Sequence, residues 1–121
     1  MPEGTILVVD DSPTEVRLLS DALQGHGYKI ITAADGDEAI NKARQERPRL
    51  ILLDVILPKK NGFQVCRDLK TSADTEDIPV ILVTSKKEDS DRFWGMKQGA
   101  DEYLTKPWRD SDLLMAVARY M

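Results

Sequence analysis

Four short runs in this chain each stop at a polar residue suited to chemistry, and longer amphipathic stretches separate them. Ile6-Leu7-Val8-Val9 runs into Asp10 and Asp11, Leu50-Ile51-Leu52-Leu53 into Asp54, and Val80-Ile81-Leu82-Val83 into Thr84. Tyr103-Leu104-Thr105 runs into Lys106 and Pro107. The apolar runs are continuous rather than alternating, and rich in leucine and β-branched residues. That pattern suits strands buried on both faces, as in a parallel sheet covered by helices. Five strands are expected, near residues 5–10, 28–33, 50–54, 80–84 and 101–105. The segment at 28–33 is the least apolar and belongs at or near an edge.

Helices fill the intervals. Ser12-Pro13-Thr14-Glu15 reads as a capping box with proline at the first helical position. It opens a helix whose apolar face is Val16, Leu19 and Leu23, ended by Gly25 and Gly27. A second helix starts at Asp35 or Gly36, carries Ala39, Ile40 and Ala43, and stops before Pro48. The third follows the Asn61-Gly62 turn with Phe63, Cys66 and Leu69. The fourth spans about 87–98 and ends at Gly99. The fifth spans about 110–120, with Leu113, Leu114 and Val117 inward. Gly95 falls inside the fourth helix and is expected to weaken it by about 0.5–1 kcal/mol relative to alanine.

Strict alternation of strand and helix implies right-handed crossovers and one doubly wound α/β domain over residues 1–121. In such sheets ligands bind outside the carboxyl ends of the strands, where strand order reverses. Three carboxylates (Asp10, Asp11, Asp54), the Thr84 hydroxyl and the Lys106 ammonium are thereby expected at one edge. Two carboxylates about 4 Å apart repel by about 4 kcal/mol at an effective dielectric near 20, so a third demands a counter-charge. A divalent cation supplies it. All-oxygen ligation with open positions fits Mg²⁺, with Asp11 and Asp54 as direct ligands, Asp10 acting through a coordinated water, and the Ile56 backbone carbonyl as a further ligand. A carboxylate beside such a cation can also accept a phosphoryl group. Lys106 and Thr84 then meet the new charge. Asp54 is the best acceptor, because its strand should lie between those carrying Asp11 and Thr84.

As a set, Val8-Val9-Asp10-Asp11, Leu53-Asp54, Thr84-Ser85 and Gly99-Ala100-Asp101-Glu102-Tyr103-Leu104-Thr105-Lys106-Pro107 resemble the CheY-like receiver domain of two-component response regulators. Ser12-Pro13-Thr14-Glu15 and Trp94-Gly95-Met96-Lys97-Gln98-Gly99-Ala100 are most similar to single-domain chemotaxis and twitching-motility (type IV pilus) regulators. The resemblance covers nearly the whole chain. It implies a three-layer, flavodoxin-like (βα)5 fold with parallel strand order 2-1-3-4-5. It implies that Asp54 takes its phosphoryl group from a phosphohistidine on a sensor histidine kinase or phosphotransfer protein, while Asp10 and Asp11 organise Mg²⁺. Thr84 and Tyr103 would form the switch, Thr84 moving toward the phosphate and Tyr103 turning inward. A cis Lys106–Pro107 peptide is also implied, which proline permits at a cost of roughly 0.5–1 kcal/mol. No turnover enzyme is expected, only Mg²⁺-dependent self-phosphorylation and slow autodephosphorylation.

Two neighbours depart from what tunes hydrolysis in the family. Ile56, two residues after Asp54, cannot hydrogen-bond an attacking water. Lys86, two after Thr84, can reach over a phosphate. A long-lived phosphorylated state is the expectation.

With a single helix after Lys106-Pro107, output is expected through surface binding to a partner on the fourth helix, fifth strand and fifth helix. Trp94, Tyr103 and Trp108 are candidate contacts, and the chain is expected to be a monomer or weak dimer. A receiver excised from a longer regulator is the alternative, as is a receiver that binds partners without phosphorylation. A haloacid-dehalogenase-type phosphatase would need an Asp-x-Asp nucleophile after the first strand, where this chain has adjacent aspartates.

The remaining composition excludes more than it suggests. A net charge of −4 with no basic run argues against nucleic acid as a direct partner. The single cysteine, Cys66, forbids an internal disulfide and reads as core. No basic leader or long apolar span appears, so a cytoplasmic location without a membrane partner is expected. His26, between two glycines, reads as a solvated turn residue. Lys59 and Lys60 are either solvated or contacts for an acidic partner.

Overall fold

Residues 4–121 are described by the structure, a computed structural model. Strands β1 (Thr5–Val9), β2 (Lys29–Ala33), β3 (Leu50–Leu53), β4 (Val80–Thr84) and β5 (Glu102–Thr105) alternate with helices α1 (Pro13–Gln24), α2 (Gly36–Glu46), α3 (Gly62–Thr71), α4 (Asp89–Lys97) and α5 (Asp110–Ala118). All strand pairs are parallel, in the order β2-β1-β3-β4-β5. This is the expected flavodoxin-like topology. The weakly apolar β2 lies at the edge, and β3 stands between β1 and β4.

The continuous apolar runs are explained by two cores, one on each face of the sheet. Leu7, Val9, Ile51, Leu53, Val80 and Leu82 pack with Ala39 and Ala43 of α2 and Val65, Cys66 and Leu69 of α3. Their alternates Ile6, Val8, Leu50, Leu52, Ile81 and Val83 pack with Leu19 and Leu23 of α1 and Leu113, Ala116 and Val117 of α5. Each leucine, isoleucine or valine among them contributes about 1.5–3 kcal/mol when removed from water, so neither face tolerates a charge until the strands end.

Two local differences from expectation have simple causes. Helix α4 begins at Asp89, later than the expected residue 87, because the Asp91 carboxylate accepts from the Glu88 N–H at 3.3 Å and fixes the helix start there. Gly95 is buried, and a Cβ there would lie 2.7 Å from Leu82 Cδ1 and 3.1 Å from the Tyr103 ring. The glycine lets α4 approach the sheet closely, so its role is packing.

Candidate functional site

Three of the expected site residues sit one position past a strand end, and each is still tied to the sheet through its backbone. Asp10 N–H donates to Ala33 O (3.1 Å), Asp54 N–H to Val9 O (3.0 Å) and Lys106 N–H to Thr84 O (2.9 Å). The backbone is therefore as fixed as in the strands, while the side chains clear the helices and converge. The Lys106–Pro107 peptide is cis. Behind Asp54, the chain folds back so that the Gly62 N–H donates to Val55 O at 2.8 Å. A side chain at Gly62 would collide with the Asp54 carbonyl. Asn61 caps α3 by accepting from Gln64 N–H at 3.1 Å.

The centre of the site is the Lys106 ammonium. Its Nζ lies 2.8 Å from Asp10 Oδ2, 3.2 Å from Asp54 Oδ2 and 3.4 Å from Glu15 Oε1. Asp10 and Asp54 are nearly buried, at 3% and 6% exposure. Burial pushes the Asp54 carboxyl above its ordinary value, against the Ile56 N–H and Lys106, which pull it down, while the nearby Asp10 charge adds to the rise. Burial also works against the charged Lys106, yet its hydrogen bond to Asp10 and the Asp54 charge prevail and its pKa is raised. The ammonium is thus firmly charged, and Asp54 is a carboxylate in need of cations.

Asp11 is exposed and lines the same open cleft, of about 640 Å³, together with Asp10, Glu15, Asp54, Ile56 and Trp108. Ile56 is 52% exposed at its rim, and its N–H donates to Asp54 Oδ1 at 3.2 Å. Thr84 is fully buried; its hydroxyl acts on Asp54 and accepts from the Lys86 N–H at 3.4 Å. The Lys86 ammonium is turned away from the cleft, toward Asp91 Oδ1 at 4.0 Å.

The candidate output residues divide. Trp94 is 53% exposed on α4, beside Phe93 at 62%. Tyr103 is not at the surface: its side chain is 7% exposed and its hydroxyl donates to Lys86 O. Gly95 leaves room for the ring and the Arg92 guanidinium covers it, 5.1 Å from its centre. Trp108 lines the cleft itself.

Lys59 and Lys60 face Asp35 (3.8 Å) and Asp68 (3.0 Å). His26 is exposed in a turn, as expected. Cys66 is buried, and burial pushes its thiol up to about 12. Among the described residues no helix is long and apolar enough to cross a membrane. Glu15 is the site residue the sequence did not disclose, because Ser-x-x-Glu before an apolar run reads as a cap.

A parallel sheet with a lysine bridging two acidic strand ends defines a class, and the family comparison agrees. This chain belongs to the response regulator receiver domain family, whose profile matches residues 6–118. Over 112 residues it is 46% identical to protein PilH of Pseudomonas aeruginosa, covering 93% of both chains. Longer curated relatives also match; the chain spans 42% of the transcriptional regulatory protein PhoP of Bacillus subtilis. Among solved structures, the chemotaxis response regulator CheY4 of Vibrio cholerae superposes with a TM-score of 0.91 at 31% identity, over 99% of this chain and 100% of that one. The receiver domain of sensor histidine kinase PA1611 from P. aeruginosa, with a magnesium ion coordinated in its active-site cleft, gives a TM-score of 0.90 at 28% identity, over 98% of both chains.

Proposed function

We propose that this chain is a phosphorylation-driven switch in which Asp54 accepts a phosphoryl group from a phosphohistidine of a sensor kinase or phosphotransfer protein. The observation that carries the reading is the Lys106 ammonium, 3.2 Å from Asp54 and 2.8 Å from Asp10 at the carboxyl edge of the sheet. A carboxylate oxygen of Asp54 attacks phosphorus and the N–P bond breaks. The histidine nitrogen keeps the electron pair, and an acyl phosphate stands on Asp54. Lys106 already lies beside that position. Phosphoryl transfer asks mainly for positioning and charge stabilisation, so a small residue set suffices.

The donor set suits a hydrated hard cation. Among the described residues no three His, Cys, Asp or Glu side chains close into a metal cage; Lys106 stands between Asp10 and Asp54. Mg²⁺ needs no cage, taking one or two carboxylates and keeping its waters and phosphate oxygens. Asp10, Asp11, Asp54 and the Ile56 carbonyl would hold it. When bound, it neutralises charge on the transferred group. The magnesium in the PA1611 receiver supports this.

Thr84 and Tyr103 relay the state of Asp54 to α4, β5 and α5, where an output protein binds against exposed groups such as Phe93 and Trp94. Similarity to PilH and CheY4 favours the motility branch of the family, chemotactic or pilus-driven.

Incubation with acetyl phosphate and Mg²⁺, read by intact mass, tests the reading. A gain of one phosphoryl group, absent in Asp54→Asn and without Mg²⁺, supports it. No gain from a small donor or from any kinase leaves a receiver that only binds partners. Rapid turnover of phosphate esters would make the protein a phosphatase.

A further inference from the structure

The Ser12-Pro13-Thr14-Glu15 cap forms only by half. Glu15 N–H donates to Ser12 Oγ at 3.3 Å, as the motif requires. The reciprocal bond is replaced: the Ser12 N–H donates to Asp10 Oδ1 at 3.0 Å. The Glu15 carboxylate instead faces the cleft, 3.4 Å from Lys106 Nζ. Of the three carboxylates on that ammonium it is the most solvated, with a side-chain exposure of 32% against 2% for Asp10 and 7% for Asp54. It also makes the longest contact.

We infer that Glu15 is an anionic competitor for Lys106 that sets how tightly the cleft takes a phosphoryl group. The inference rests on the reading of Asp54 as acceptor. A lysine ammonium has three donors, and three carboxylates surround this one. A phosphoryl group on Asp54 replaces that carboxylate's contact with several oxygens of greater total charge, which compete with Asp10 and Glu15 for the same ammonium. Asp10 is buried and would be left with an uncompensated charge, which is costly. Glu15 can turn back to water. Until it does, it holds Lys106 and repels the incoming anion. Glu15 is thus a positioning residue acting through Lys106, and it biases the protein toward the unphosphorylated state.

The test uses the full chain in a Trp94→Phe background, so that Trp108 reports from the cleft. Beryllofluoride, a phosphoryl mimic, is titrated at saturating Mg²⁺. Glu15→Gln should bind it roughly three- to tenfold tighter, the scale of one unit charge removed about 4 Å away in a water-like dielectric, as suits a solvated side chain. The gap should narrow at high salt. Mg²⁺ affinity measured alone should not tighten, and urea stability should hold, since the Ser12 cap remains. A purely structural role would move stability and leave the salt-dependent gap absent. Equal or weaker beryllofluoride binding by Glu15→Gln overturns the inference. Should that variant fold poorly, Glu15→Ala carries the same expectation. A parent protein that ignores beryllofluoride removes the acceptor reading and this inference with it. A response lost only in Asp54→Asn keeps the acceptor reading whatever Glu15 does.

Discussion

The Tyr103 hydroxyl donates a 2.6 Å hydrogen bond to the Lys86 carbonyl, joining β5 to the loop that leaves β4 two residues after Thr84. Arg92 holds the ring from α4: its guanidinium covers the aromatic face and donates to the Tyr103 carbonyl at 3.2 Å. Tyr103 thus occupies the inward position that the family resemblance gives it. Removing only the hydroxyl, in Tyr103→Phe, leaves the Lys86 carbonyl without this partner. Urea unfolding should show a loss of about 1 kcal/mol.

Gly95 offers a sharper test of the same region. Alanine would favour an isolated helix by about 1 kcal/mol, and on propensity alone Gly95→Ala should stabilise. The added Cβ would meet Leu82 at 2.7 Å and the Tyr103 ring at 3.1 Å. Overpacking of this kind costs about 1–3 kcal/mol, so a net loss of stability is expected. A gain would return the glycine to a role in helix flexibility.

Cys66 gives a pH dependence with a definite sign. Its thiol ionises near 9.0 when unfolded and is pushed up to about 12 in the fold, chiefly by burial. Above pH 9 the unfolded chain releases a proton that the native state keeps. Stability therefore falls as pH rises through that window. Cys66→Ala should cost about 1–2 kcal/mol at neutral pH through the lost side chain, and that deficit should shrink between pH 9 and 10.5. A deficit that does not change with pH contradicts the assignment.

We expect Ile56, more than Lys86, to set the lifetime of the phosphorylated Asp54 proposed above. Ile56 presents an exposed apolar side chain at the cleft rim. Ile56→Asn offers an attacking water a hydrogen bond and should shorten the lifetime at least roughly tenfold. Lys86 faces Asp91, so Lys86→Ala should change it less. Decay followed by intact mass after removal of the phosphodonor measures both. Lifetimes unchanged in the two variants would mean that neither residue protects the acyl phosphate.

Much of the fold was legible because it depends on local pattern. Continuous apolar runs specify strands covered on both faces, alternation with helices specifies a parallel sheet, and β2 reads as an edge from its composition. The carboxyl ends of those strands then place Asp10, Asp54, Thr84 and Lys106 at one edge. The register of partners was not legible. Lys106 meets Asp10 across 96 residues and Asp54 across 52, and no local period encodes such distances. The sequence pattern pointed Glu15 at Ser12, yet Asp10 takes the Ser12 N–H and the glutamate turns to Lys106. Gly95 read as a weak point in a helix until the Leu82 and Tyr103 contacts showed it as a close approach. The sequence by itself determined which segments form strands and where chemistry gathers, since periodicity and burial are properties of neighbouring residues. Only the tertiary structure decided which carboxylate holds which donor, because side chains choose partners by distances set between segments remote in the chain.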